Sequence, residues 1–250
     1  MVRNTVVINN PIHRQIIKSL DKLKSKGSQK ERLWVQKYLG SNKPTRCIKG
    51  GEIIKLARKI VKENNPDIKQ FISLIDSLYS NATTFEEMDI AARLLNVTPK
   101  LKVQIDPTKL DLWLNYTHGW AEVDGLCQSN FLPEELLDNW PVWEKLLIKF
   151  SKDKNIHKRR ASLVLLTKSV RHSPDKRLAN LAFKNINRLK KEKEILITKA
   201  VSWILRSLIK YHRSEVENYL KKNKNVLPKI AIREVTNKLL TGKKSLTVRH

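Results

Sequence analysis

Apolar residues recur along this chain with the spacing of an amphipathic helix, and this feature constrains the fold most. In residues 12–24 they share one stripe, because positions three and four apart lie on one helix face. The same pattern recurs in residues 31–39, 52–62, 68–78, 85–95, 109–116, 119–127, 142–150, 156–170, 177–189, 193–211, 214–222 and 228–240. Only residues 100–105 alternate like a strand, and one isolated strand is unstable in water. The sequence therefore predicts an all-α fold.

The order of the predicted helices indicates how they pack. Short breaks with turn chemistry, such as Asn65-Pro66-Asp67 and Ser173-Pro174-Asp175, separate them. The segments that begin near residues 156 and 193 are spaced close to the roughly 40-residue period of HEAT-type repeats. We expect an α-solenoid of HEAT-like antiparallel helix pairs, curved with a basic concave surface. It would form a single domain over residues 1–240, followed by a basic C-terminal tail at 241–250. A globular helical bundle is the alternative.

Charge is the second constraint. The chain has 50 Lys and Arg against 24 Asp and Glu, a formal net charge of +26. The net charge is +12 over residues 1–70, −6 over 71–150 and +20 over 151–250. Two basic flanks favour a polyanionic partner, because each neutralised phosphate releases condensed counterions. A generally basic, solvated surface is the alternative explanation.

Several classes of protein are excluded by what the sequence lacks. Two cysteines, Cys47 and Cys127, cannot form a disulfide framework. No apolar run reaches the length of a membrane span, and the N-terminus has no secretory signal. There is no Cys-x-x-Cys or His-Glu-x-x-His motif, and Gly50-Gly51 is not part of a Walker loop. We therefore expect an intracellular protein without a metal, a cofactor or a membrane partner.

Residues 118–127, His-Gly-Trp-Ala-Glu-Val-Asp-Gly-Leu-Cys, are the most informative stretch. Trp120 and Asp124 are four apart, so on a helix they share one face. A large aromatic ring beside a carboxylate can bind a sugar and stabilise developing positive charge. The alternative is a core tryptophan with an aspartate that caps a neighbouring helix or pairs with an arginine.

Two later stretches carry cations next to apolar helices. Residues 157–160, His-Lys-Arg-Arg, precede an apolar helix and predict either a phosphate site or a solvated basic turn. Residues 199–206, Lys-Ala-Val-Ser-Trp-Ile-Leu-Arg, place Trp203 either in the core or at a site. The other tryptophans are predicted to be packing residues: Trp34, Trp113, Trp140 and Trp143.

These three stretches, together and in this order, resemble the AlkD family of bacterial alkylpurine DNA glycosylases. The resemblance covers roughly residues 30–240. It implies a curved stack of HEAT-like repeats that binds duplex DNA in its concave face and uses no metal or cofactor. It also implies a monofunctional DNA glycosylase that releases cationic N3- or N7-alkylated purines, such as 3-methyladenine and 7-methylguanine, and leaves an abasic site. We expect a monomer in the bacterial cytoplasm and nucleoid.

The resemblance assigns the catalytic roles residue by residue. Trp120 and Trp203 would pack against the deoxyribose at the lesion. Asp124 would stabilise the oxocarbenium-like sugar and orient water. Because the alkylated purine is positively charged, it leaves as a neutral molecule, and little general-acid help is needed.

The resemblance also implies a set of DNA-binding residues. Arg160 would contact the backbone phosphate, with Arg159 in its place if the register is displaced by one. Lys158 belongs to the same basic stretch, and Tyr38 corresponds to an aromatic near the first repeats of the family. Residues 41–51 depart from the family pattern, with Lys49 where a neutral polar residue is expected.

Three other functions stay open at this point. One is a non-catalytic protein of the same fold that recognises distorted or branched DNA. Another is a HEAT-type scaffold for protein interactions, which would show no steep salt-dependent affinity for DNA. RNA binding is allowed by the charge alone, and a comparison of duplex DNA with A-form RNA would test it.

Overall fold

The computed structural model describes residues 8–24, 27–128 and 130–245, and this part of the chain is helical with no strand. The α-helices are α1 (Pro11–Leu23), α2 (Gln29–Leu39), α3 (Gly50–Asn64), α4 (Ile68–Ser80), α5 (Phe85–Val97), α6 (Pro99–Lys102), α7 (Lys109–Trp113), α8 (Trp120–Cys127), α9 (Pro133–Asp138), α10 (Trp140–Phe150), α11 (Ile156–His172), α12 (Lys176–Leu189), α13 (Ile195–Asn223) and α14 (Lys229–Thr241). A 3₁₀ helix, Leu114–Tyr116, follows α7. The predicted all-α fold of helical repeats is confirmed, while its curvature and basic concave surface stay predictions.

Two short helices differ from the sequence prediction. Residues 100–105 are not extended, because Pro99 occupies the first turn of α6, where its fixed φ suits a helix. The short helix α9 also begins with a proline, Pro133, and was not predicted. The predicted break between segments 193–211 and 214–222 coincides with a kink in α13 at His212, whose backbone is not helical (φ −127°, ψ 40°).

The chain divides into two compact units, residues 1–126 and 127–250. In the first unit α3 packs against α5, and α1 contacts α3, α4 and α5. The predicted single domain over residues 1–240 stays a prediction. Of the predicted tail, residue 241 ends α14, and residues 246–250 lie outside the described residues.

The centre of the second unit is α11. Every side chain from Arg160 to Thr167 is buried, as expected for a helix that has neighbours on all sides. Those neighbours are α9, α10, α12 and α13, and α14 packs on α13. None of the helices in the described residues is long and apolar enough to cross a bilayer.

The four tryptophans predicted as packing residues differ in how deeply they are buried. Trp113 and Trp143 are buried, and Trp113 Nε1 donates to Asp76 Oδ1 at 2.7 Å. Trp140 is half-buried, with the Arg177 guanidinium 5.8 Å from its ring centre. For Trp34 the prediction is wrong, because its side chain lies on α2, a helix without a buried residue, and is 66% exposed.

A buried polar network that the sequence did not indicate ties α1 to α5. Glu87 accepts from His13 Nε2 at 3.0 Å and from Thr83 Oγ1 at 2.9 Å. His13 Nδ1 lies 2.9 Å from Ser77 Oγ on α4. Both His13 and Glu87 have no exposed surface. The network therefore fixes three helices of the first unit against one another.

Candidate functional site

Helix α8 has one buried face and one accessible face. The buried face consists of Glu122, Val123, Leu126 and Cys127. The accessible face consists of half-buried residues: Trp120, Ala121, Asp124 and Gly125. Trp120 and Asp124 therefore share the accessible face, as their spacing predicts, and Trp120 is not a core residue.

The ring of Trp120 is held by the C-terminal end of α2. Its Nε1 donates to the Tyr38 carbonyl at 2.7 Å. The Tyr38 ring meets the Trp120 ring edge-on, with centroids 5.7 Å apart and planes at 89°. The structure thus brings together two of the predicted site residues, although they are 82 positions apart in the sequence.

Two glycines let α2 and α8 approach this closely. Gly40 ends α2 in the left-handed conformation, with φ 67°, which favours glycine. Gly119 precedes α8 and lies directly against Gly40. A Cβ on Gly119 would be 2.6 Å from the Gly40 carbonyl carbon and oxygen. Backbone atoms cannot move aside locally, so Gly119 requires the absence of a side chain.

Glu122 is the other carboxylate of α8, and its hydrogen bonds hold the start of the helix. It is 4% exposed and accepts from the Ser41 hydroxyl and from the backbone N–H groups of His118 and Gly119. A negative charge at a helix N-terminus is stabilised by the free amides and the helix dipole. Glu122 therefore fixes the start of α8 and leaves Asp124 as the carboxylate on the accessible face. Its place in the first turn of a helix was the available sequence signal.

Replacing Gly119 by alanine is expected to lower the free energy of unfolding by about 2 kcal/mol, because the new Cβ collides with the Gly40 backbone. Chemical denaturation of the purified variant measures this. Gly51→Ala is the matched control, since a Cβ at Gly51 meets nothing within 4 Å. Equal stability of the two variants would show that the α2–α8 contact is not tight.

Trp203 lies on a narrow accessible stripe of α13. Its neighbours on that stripe, at helical spacing, are Lys199, Arg206 and Lys210. Lys199 and Lys210 are exposed, whereas Trp203 and Arg206 are half-buried. The other side chains from Ile197 to Ile209 are buried against α11 and α14. Trp203 is therefore not a core residue, and it alternates with cations on the accessible side of its helix.

The basic stretch at the start of α11 is not a solvated turn. Arg159 forms a bidentate pair with Glu192, with Nε–Oε1 at 2.9 Å and Nη2–Oε2 at 3.2 Å. Arg160 is 4% exposed, and its Nη1 donates to the Leu196 carbonyl at 2.5 Å. Lys158 is also buried, with Nζ 3.9 Å from Asp153 Oδ2. Arg159 and Arg160 thus connect α11 to the segment before α13 and to the first turn of α13, and Lys158 faces the segment before α11. The contacts of all three with DNA stay a prediction.

Three cations that the sequence did not indicate lie near one another on three helices of the second unit. It consists of Arg171 on α11, Arg206 on α13 and Lys238 on α14, and we call it the α11–α13–α14 cluster. Burial lowers the pKa of Lys238, and repulsion by Arg171 and Arg206 lowers it further. Arg171 donates to Ser207 Oγ at 3.2 Å, and Arg206 lies 3.5 Å from Glu234. The cluster therefore concentrates positive charge close to the stripe that carries Trp203.

The segment between α2 and α3 is held by hydrogen bonds to Glu86. Glu86 Oε1 accepts from Thr45 Oγ1 at 2.7 Å and from the Arg46 amide at 2.8 Å. Lys49 is exposed at the N-terminal end of α3 and makes no side-chain cap. Its ammonium group is thus on the surface, where the predicted DNA contact requires it to be.

The predicted site residues fall into both units. Tyr38, Lys49, Trp120 and Asp124 belong to the first, and Lys158, Arg159, Arg160 and Trp203 belong to the second. Their convergence on one DNA duplex stays a prediction. Within the residues that the structure describes, no three His, Cys, Asp or Glu side chains are placed to hold a metal ion.

Comparison with known proteins places this arrangement in a family. The family model described as "DNA alkylation repair enzyme" matches residues 19–239. A solved structure named "Predicted DNA alkylation repair enzyme from Enterococcus faecalis" has the same fold, with a TM-score of 0.70 and 20% sequence identity. The match covers 88% of this chain and 99% of that one. No curated protein matches the sequence significantly. Because the family model spans most of the chain, the protein belongs to the DNA alkylation repair enzyme family.

Proposed function

We propose that this protein is a monofunctional DNA glycosylase that hydrolyses the N-glycosidic bond of cationic N3- or N7-alkylated purines in duplex DNA. The observation that carries the proposal is the accessible face of α8, where Asp124 lies one turn from a Trp120 ring held in place by Tyr38. A fixed aromatic surface next to a carboxylate on the same helix face suits a sugar that becomes positively charged during the reaction. Membership of a DNA repair family supports the same direction.

The chemistry follows from the charge of the lesion. Alkylation at N3 or N7 makes the purine cationic, so cleavage of the glycosidic bond returns its electrons to a ring that leaves neutral. The deoxyribose becomes oxocarbenium-like, and the Asp124 carboxylate stabilises it. Water oriented by Asp124 then adds to C1′ and loses a proton, which leaves an abasic site. The faces of Trp120 and Trp203 carry negative quadrupole and stabilise the same cationic centre.

DNA binding is assigned to basic side chains of both units. In the second unit, Trp203 lies among Lys199, Arg206 and Lys210, and alternating aromatic and basic residues are typical of nucleic-acid surfaces. Phosphate contacts then position the duplex without reading its sequence. Arg160, whose Nη1 donates to the Leu196 carbonyl, is proposed to contact the backbone phosphate, with Arg159 in its place if the register is displaced by one.

The test of this function is release of free base. Purified protein is incubated with duplex DNA that carries 7-methylguanine, and then with DNA that carries 3-methyladenine, against a protein-free control for spontaneous depurination. Enzymatic release that leaves alkali-labile abasic sites is the expected result. Tight duplex binding without release from either lesion would contradict the glycosylase and favour a non-catalytic DNA-binding protein. Absence of duplex binding would contradict both.

The α11–α13–α14 cluster leads to a prediction about salt. Arg171→Ala and Lys238→Ala are each expected to weaken duplex binding and to reduce the slope of log affinity against log salt by about one. Fluorescence anisotropy at four or more salt concentrations measures the slope. Lys55→Ala, which removes an exposed charge paired with Glu52, is the matched control. An unchanged slope in both cluster variants would exclude the cluster from the DNA-binding surface.

A further inference from the structure

Helix α2 carries an exposed aromatic patch, Trp34 and Tyr38, of which the proposed function uses only Tyr38. Trp34 is 66% exposed and Tyr38, four residues later on the same helix face, is 61% exposed, whereas Leu33, which is 59% exposed, is next to Trp34 in sequence and does not share that face. Single exposed apolar residues are common, but contiguous large ones indicate a binding surface. The patch needs an explanation because an indole ring loses favourable burial energy when it stays in water.

The rings of this patch continue the candidate site. Trp34 stacks on Tyr38 with centroids 5.6 Å apart and planes only 7° from parallel. Tyr38 in turn meets Trp120 edge-on at 5.7 Å. Tyr38 therefore covers one face of the Trp34 ring, and the high exposure of Trp34 leaves the opposite face open. The open face of Trp34 is thus connected through the Tyr38 ring to Trp120, which lies one turn from Asp124.

The charges around Trp34 indicate the chemistry of its partner. Lys30 and Lys37 lie four residues before and three residues after it, and both are exposed. Positions at this spacing flank the ring on the helix surface. Lysines are depleted in the centres of protein–protein interfaces, whereas aromatic rings flanked by cations bind unstacked nucleobases. The patch therefore fits a nucleic-acid base better than an apolar face of another protein.

We propose that Trp34 stacks on an unstacked nucleobase of the damaged duplex and thereby favours distorted over intact DNA. The base is either the one opposite the lesion or the one next to it on the same strand. The inference rests on the DNA-binding part of the proposed function and on the place of Trp120 in the site. It does not require that the protein cleave the glycosidic bond.

The first experiment compares two duplexes by fluorescence anisotropy with the full chain. One duplex is intact, and the other carries a tetrahydrofuran abasic-site analogue. Trp34→Ala is expected to lose about tenfold in affinity for the abasic duplex and less than twofold for the intact one, the range typical of a single stacked base. Trp34→Phe is expected to retain most of the affinity. Leu33→Ala, which removes a neighbouring exposed apolar side chain, should change neither.

The second experiment identifies the base. 2-Aminopurine is placed opposite the analogue in one duplex and 3′ to it in another, and its fluorescence is followed on binding at saturating protein. Quenching by the wild type that Trp34→Ala removes in one duplex only assigns that base. Trp34 has no such role if the wild type and Trp34→Ala quench equally in both.

The outcomes separate this inference from the proposed function. Base release by the wild type with no discrimination lost in Trp34→Ala would overturn the inference alone. Duplex discrimination through Trp34 without base release would leave the inference standing and overturn the glycosylase. A wild type that dimerises in solution while Trp34→Ala stays monomeric, with equal DNA binding, would show that a second copy of the chain covers the ring, and would overturn the inference.

Discussion

Asp124→Asn is expected to slow the release of 7-methylguanine by a hundredfold or more while leaving duplex affinity within about twofold. The substitution keeps the shape of the side chain and removes its negative charge. Loss of one electrostatic group aimed at the transition state typically costs about 10²- to 10³-fold in rate. Binding should persist, because Asp124 lies on the accessible face of α8 and carries no positive charge that a phosphate could use.

Single-turnover release with protein in excess measures the chemical step directly. Asp138→Asn is the matched control, since it removes the same charge from an exposed aspartate on α9. Thermal unfolding of both variants shows whether the fold is kept. A glycosylase that retains full activity as Asp124→Asn would have to take its carboxylate from elsewhere, and the assignment of Asp124 would be wrong.

Glu87→Ala is expected to lower the free energy of unfolding by about 3 kcal/mol, the largest effect predicted on stability. Removing this carboxylate leaves the buried His13 imidazole and the half-buried Thr84 hydroxyl without their shared acceptor. Breaking one side of a buried, hydrogen-bonded network costs more than the hydrogen bonds themselves, because the partners stay desolvated. Glu52→Ala is the control, since its partner is the exposed Lys55, and it should change stability by less than about 1 kcal/mol.

Acid is expected to lower the free energy of unfolding through the same network. Burial by itself would raise the pKa of Glu87, but hydrogen bonds from His13, Thr84 and Thr83 outweigh it and lower the pKa from 4.5 to about 2. The unfolded chain therefore binds the proton more readily than the folded one. The stabilisation from Glu87 is complete above pH 4.5 and is lost as the pH falls from 4.5 to 2, by an amount on the order of 3 kcal/mol.

Urea denaturation at a series of pH values between 4.5 and 2 tests the direction in which stability changes with pH. Wild-type stability should fall as the solution becomes more acidic, and Glu87→Ala should fall less steeply over the same range. Parallel pH curves for the two proteins would mean that Glu87 titrates at its ordinary pKa in the folded state.

The helices were predictable because their signals are local. The segment predicted over residues 68–78 is α4, which begins where Asp67 and Gln70 form a capping box. The segment predicted over residues 156–170 is α11, where the Asn155 side chain caps the first turn. The kink of α13 at His212 falls between the segments predicted over residues 193–211 and 214–222.

The candidate site was predictable only in part. The shared face of Trp120 and Asp124 follows from a spacing of four residues. The contact of Trp120 with Tyr38 does not, since it depends on the approach of α2 and α8 at Gly40 and Gly119. The prediction of Trp34 as a packing residue is wrong, because α2 buries none of its residues and leaves the Trp34 ring exposed.

The sequence by itself determined the helical elements, the basic flanks and the family resemblance, because capping, periodicity and charge are properties of neighbouring residues. Only the tertiary structure decided which tryptophans are exposed to solvent and which cations are hydrogen-bonded or paired with carboxylates. It buried Arg160 against the Leu196 carbonyl, paired Arg159 with Glu192 and left the ring of Trp34 in solvent. The physical reason is that burial and pairing depend on residues distant in the chain, which meet only when the helices pack.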